Sequence, residues 1–69
     1  MQENDVLLYL ARREEDLLTV QDIAQALGLP VFRTEALLDR LRARRLVTEV
    51  HGFVMPSLQG IAQARRYTN

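Results

Sequence analysis

The sequence predicts a mainly α-helical domain carrying one small β-hairpin, in the order helix, short strand, helix, helix, two-stranded hairpin, C-terminal helix. Three observations carry this expectation. Apolar residues recur at one-turn spacing in four separate stretches. Two β-rich runs, residues 46–50 and 53–55, are separated by His51-Gly52, a two-residue turn ending in glycine. Residues whose short polar side chains cap helices, Thr19 and Ser57, stand at the joints.

The elements follow in order. Asn4 or Asp5 can cap a first helix over residues 5–13, with Val6, Leu7, Leu10 and Ala11 as its stripe and Arg12 and Arg13 in its last turn, where cations oppose the helix dipole. Leu8 and Tyr9 fall outside that stripe and give the helix more apolar surface than one core face needs. Glu14-Glu15-Asp16 reads as a solvated connection, and residues 17–20 as a short strand. Thr19 opens a second helix, with Asp22 placed to reach back in a capping box and Val20, Ile23, Ala24 and Leu27 facing inward. Gly28 ends it, because a helix stop in the left-handed region carries no Cβ clash at glycine. Pro30 suits the first turn of a third helix, where its missing N–H costs nothing. Thr34, Leu38 and Leu41 set the inward direction of that helix, with Leu37 at its margin and an end near Arg45. Pro56 stops the second strand and Ser57 caps a last helix, whose inward residues are Leu58, Ile61, Ala62 and the stem of Arg65, ending near Tyr67.

Composition narrows the functional classes. The chain has 69 residues, nine basic groups that are all Arg, nine acids, one His and no Cys. We expect one domain over residues 1–69. Without cysteines, and with His51 alone, neither a disulfide framework nor a zinc site can be assembled, and no cofactor is expected. Stability must come from apolar packing, for which 48% of the residues are hydrophobic. The longest apolar run, Val6 to Ala11, is far short of the roughly 20 residues of a membrane span. No basic-then-apolar leader opens the chain, so a cytoplasmic, non-membrane protein is expected. Formal neutrality argues against a nonspecific polyanion binder. It is nevertheless the sum of two unlike halves: residues 1–39 hold eight acids and three bases, a balance of −5, and residues 40–69 hold six bases and one acid, a balance of +5.

The order of elements resembles a winged helix-turn-helix domain of the small bacterial regulator type, and the likeness reaches single residues. The stretch from Thr19 to Leu29 looks like the family's first helix and turn, with a small Ala24 between helices and Gly28 at the bend. The spacing of Gly28, Leu38, Leu41, Leu46 and Val47 is similar to that of such regulators, as is Ser57-Leu58-Gln59-Gly60 after the hairpin. Arg45 stands where relatives commonly have glycine. The resemblance covers about residues 5–67 and implies duplex DNA as partner, with the third helix in the major groove and the hairpin as a wing against the backbone or minor groove.

At about 100° per residue, the face of the third helix opposite Thr34, Leu38 and Leu41 carries Phe32, Ala36, Asp39 and Ala43, flanked by Arg33 and Arg40 on one side and Glu35 on the other. Arg33 and Arg40 are candidate readers of guanine or contacts to phosphate, and Arg42 and Arg44 are candidate backbone contacts. The Arg residues at 40, 42, 44 and 45 also have a second use, offsetting the helix dipole and pairing with the acidic first half. Phe32 and Ala36 can touch a thymine methyl, whereas Asp39 would repel phosphate. The wing sequence, Glu49 to Phe53, has no Lys or Arg, leaving His51 at its tip as the one candidate phosphate contact. A homodimer through the first and last helices would supply a second DNA half-site. The alternative is a winged-helix protein-interaction module that docks a partner on Leu8, Tyr9, Val31, Phe32 and Ala36, because aromatic anchors favour interface cores. An enzyme is not expected: there is no glycine-rich phosphate loop, and Ser57 is explained as a cap rather than a nucleophile.

Overall fold

The computed structural model describes residues 1–68, which form α1 (Glu3–Arg12), α2 (Val20–Leu27), α3 (Val31–Ala43), β1 (Val47–Val50), β2 (Phe53–Pro56) and α4 (Leu58–Thr68). The order is the predicted one. The expected strand over residues 17–20 is reduced to a single bridge, in which the Leu18 carbonyl accepts the Val54 N–H at 2.7 Å. Val20 belongs to α2, whose cap is Thr19 as expected. Thr19 Oγ1 accepts the Asp22 N–H at 3.2 Å, and Asp22 Oδ2 accepts the Thr19 N–H at 3.1 Å.

Local rules also set the other helix ends, in places differently from expectation. Asn4 and Asp5 lie inside α1, and Gln2 takes the capping position with its N–H donated to Asp5 Oδ2 at 2.9 Å. Pro30 precedes α3 instead of entering its first turn. Its carbonyl accepts both the N–H and the hydroxyl of Thr34, each at 3.1 Å, which satisfies a fully buried side chain. At the end of α2, Gly28 has φ +68; the Leu29 N–H bonds the Ala24 carbonyl at 2.9 Å and the Gly28 N–H the Gln25 carbonyl at 3.3 Å. The end of α3 repeats this geometry with an arginine. Arg45 has φ +59, the Leu46 N–H bonds the Leu41 carbonyl at 2.9 Å, and the Arg45 N–H bonds the Arg42 carbonyl at 2.9 Å. The helix therefore ends at Ala43, short of the expected Arg45.

Antiparallel β1 and β2 pair from Val47↔Pro56 to Val50↔Phe53. Pro56 fills the last position of β2 rather than stopping the strand before it. His51 and Gly52, with φ +53 and +83, make the turn in which both central residues lie in the left-handed region.

The inward face of α4 is the predicted one only in part, at the half-buried Ile61. Leu58 is 87% exposed, Ala62 and Arg65 are exposed, and Gly60 and Ala64 face the core. The Ser57 hydroxyl accepts the Gly60 N–H at 3.0 Å and donates to the Arg45 carbonyl at 2.7 Å, while the Ser57 N–H bonds the Leu46 carbonyl at 2.9 Å. These bonds press the first turn of α4 onto the α3–β1 joint. A Cβ on residue 60 would lie 2.0 Å from the Leu46 carbonyl oxygen, so a residue without one must face inward.

The core lies between α1, α3, α4 and the hairpin, with α2 closing one side. Val6, Leu7 and Leu10 of α1 meet Leu37, Leu38 and Leu41 of α3, joined by Ile23, Leu46, Val54 and Ala64. This packing turns the opposite face of α3 to solvent.

Candidate nucleic-acid interface

The second helix of the α2–turn–α3 pair turns one exposed, charge-bearing face to solvent. Because Thr34, Leu37, Leu38 and Leu41 are buried, helical geometry places Phe32, Ala36, Asp39 and Ala43 outward, and all four are exposed. Phe32 is 76% exposed and Val31 40%. Arg33 and Arg40 flank this line on one side.

The predicted Arg set divides by what each guanidinium touches. Arg42 donates to Asp39 Oδ1 on its own helix and to Glu49 Oε2 on β1, the latter at 3.3 Å. It ties the exposed helix to the wing within a cluster of two acids and one base. Arg44 lies 3.7 Å from Glu3 Oε1, across the gap to α1. Arg33 and Arg40 have no hydrogen-bond or ion-pair partner among the described residues. Of the two uses expected of the Arg residues, pairing with acids is present at Arg42 and Arg44. Such pairs at partly exposed positions contribute at most about 1 kcal/mol each, so Arg42 and Arg44 are held rather than locked.

His51 is exposed at the tip of the wing, beside Gly52. A two-residue turn projects little beyond its strands. Asp39, read from the sequence as a group that repels phosphate, has its charge offset by Arg42.

The residues expected to dock a protein do not form one surface. Val31, Phe32 and Ala36 lie on α3. Leu8 and Tyr9 lie on α1, half-buried and packed against the core, and the Arg13 guanidinium sits 5.1 Å above the Tyr9 ring. The surplus apolar surface expected on the first helix is thus largely covered. Leu8 also borders a shallow depression shared with Ile61 and Ala64 of α4, which makes α1 and α4 one continuous outer surface.

Glu3 and Glu49 were not among the predicted site residues. The spacing of Asp39 and Arg42, three apart on a helix, is a readable signal. No periodicity relates Arg42 to Glu49 or Arg44 to Glu3, because these pairs form across elements. Among the described residues no group of three or more His, Cys, Asp or Glu side chains could hold a metal ion, and no helix is long and apolar enough to cross a membrane.

A helix, a glycine turn, a solvent-facing second helix and a two-stranded hairpin together define a winged helix-turn-helix. Residues 2–52 match the MarR family, and the chain belongs to that family. The whole domain is similar to MepR of Staphylococcus aureus, described as a transcription regulator of the multidrug efflux pump MepA. The TM-score is 0.92 at 27% identity, covering 96% of this chain and 51% of that one. It is likewise similar to MepR in a DNA complex, with TM-score 0.89, 25% identity and coverage of 96% and 52%. For MepR bound to ethidium bromide the TM-score is 0.86, with 25% identity and the same coverage. The chain thus spans about half the length of these relatives. Among curated protein sequences none matches significantly.

Proposed function

We propose that residues 1–69 act as a single DNA-binding domain of a transcription regulator, contacting duplex DNA through α3 with the β1–β2 hairpin as wing. The observation that carries this reading is the pair of guanidiniums, Arg33 and Arg40, that have no partner among the described residues and lie on the solvent face of the second helix of a helix-turn-helix. The likeness to MepR, which has been seen in a DNA complex, supports it. Arg33 lies in the first turn of α3, the part of a recognition helix that meets base edges, and Arg40 stands about 10 Å further along the axis. Arg42 and Arg44 contribute to the backbone contact only as far as phosphate displaces their carboxylate partners, and His51 adds a contact at the wing tip. The protein acts in the cytoplasm as a non-enzymatic regulator. It forms a homodimer through the joined outer surface of α1 and α4, where Leu58 is left exposed. A second half-site compensates for the limited affinity of one small module.

Duplex binding measured against salt tests this. Wild type is expected to bind with an affinity that falls steeply as salt rises, and Arg33→Ala/Arg40→Ala to lose binding. Arg42→Ala and Arg44→Ala should each have smaller effects. No detectable binding at low salt refutes the proposal. The protein-docking alternative has the exposure of Phe32 in its favour. It predicts that Phe32→Asp disrupts a complex while the domain stays folded.

A further inference from the structure

The centre of the α3 face is unlike one built to hydrogen-bond bases. Helix α3 contains no Asn, Gln or Ser, and its one hydroxyl, that of Thr34, is buried and donated to the Pro30 carbonyl. Asp39 is engaged by Arg42. What remains toward solvent is an aromatic ring and small methyl-bearing side chains, Phe32, Ala36 and Ala43, beside two guanidiniums with no partner among the described residues. The major groove presents one apolar feature to such a surface, the C5-methyl group of thymine.

We infer that α3 reads thymine by its methyl group, with Phe32 and Ala36 as the specificity-determining residues, and that Arg33 and Arg40 place guanine or phosphate beside it. The inference rests on the DNA-binding reading above and adds the base it selects. Phe32 and Ala36 are four residues apart, about 6 Å along the helix axis, close to two base-pair steps of about 3.4 Å. Both lie in the first two turns, the reading end of the helix. Arg33 and Arg40 are about 10 Å apart, or three steps. The preferred half-site is therefore a short thymine element bracketed by groups that accept from arginine. The neighbouring charge favours DNA over a protein as the occupant of this face. A protein seated on Phe32 would also bury unpaired Arg33, and interface cores are depleted of charge.

The test begins by selecting duplexes from a random pool with the full chain, then remaking the selected duplex with deoxyuridine in place of thymidine, one strand at a time. That exchange removes methyl groups and leaves the Watson–Crick edges unchanged. Wild type is expected to lose about fourfold in affinity for each contacted methyl, and over tenfold for two. Phe32→Ala should keep only the roughly fourfold preference of the Ala36 contact, since its own contact is gone and its exposed ring does little for folding. Equal binding of the two duplexes by wild type overturns the inference while leaving DNA binding in place. A methyl preference that persists undiminished in Phe32→Ala overturns it as well. If no duplex is bound at low salt, the DNA reading and this inference fall together, and disruption of a complex by Phe32→Asp would then assign the face to a protein partner.

Discussion

Arg45→Gly should make the domain more stable, and the structure supplies the size of the effect. Residue 45 sits just past α3 with φ +59, holding the two hydrogen bonds that close the helix. At the matching position after α2 the chain uses Gly28, with φ +68 and the same pair of bonds. A residue with a Cβ costs roughly 1–2 kcal/mol in this region, because the Cβ crowds the following carbonyl. Glycine returns about 0.4–1 kcal/mol of that through the greater freedom it gives the unfolded chain. The Arg45 side chain is exposed and has no partner among the described residues, so its removal costs little. Its carbonyl, which accepts the Ser57 hydroxyl, is kept in glycine. The net gain is about 0.5–1 kcal/mol, or roughly 4 °C in Tm for a domain of this size. Reversible thermal unfolding followed by far-ultraviolet circular dichroism, on wild type, Arg45→Gly and Arg45→Ala, measures it. Arg45→Ala keeps the strained backbone and should stay close to wild type. An Arg45→Gly variant no more stable than Arg45→Ala would refute the assignment of strain to this residue.

Three further outcomes follow from particular contacts. Gly60→Ala puts a methyl group 2.0 Å from the Leu46 carbonyl oxygen. Overpacking of this kind outweighs the helix preference of alanine, and urea denaturation should show a loss of about 2 kcal/mol. Thr19→Ala removes the α2 cap and should cost about 1 kcal/mol in the same assay. Glu49→Gln releases Arg42 from the wing and removes a negative charge near the proposed DNA surface. Duplex affinity should rise about two- to fivefold, read by fluorescence anisotropy; weaker or unchanged binding would show that the Glu49 charge does not oppose DNA.

Much of the fold is legible in the sequence because its signals are local. The Thr19–Asp22 box, the Gly28 stop, the Ser57 cap and the His51-Gly52 turn each act over two to four residues, and each has the predicted partner or backbone conformation. The inward stripe of α3 was readable for the same reason: one repeating angle sets it. The face of α4 differs from the expected one because hydrophobicity points to Leu58 and Ala62, whereas a backbone approach at Leu46 requires Gly60 there. The strand expected at residues 17–20 shrank to one bridge because a helix cap two residues into it began α2.

The opposite charges of the two halves could be counted along the chain, but their use could not. Intrachain order told which residues share a helix face, since helical geometry is the same everywhere. It could not tell that Arg42 would meet Glu49 on the wing, or Arg44 meet Glu3 at the start of α1. Those distances depend on how separate elements pack. Packing therefore divided the arginines, leaving Arg33 and Arg40 of α3 without a partner among the described residues, beside an exposed Phe32.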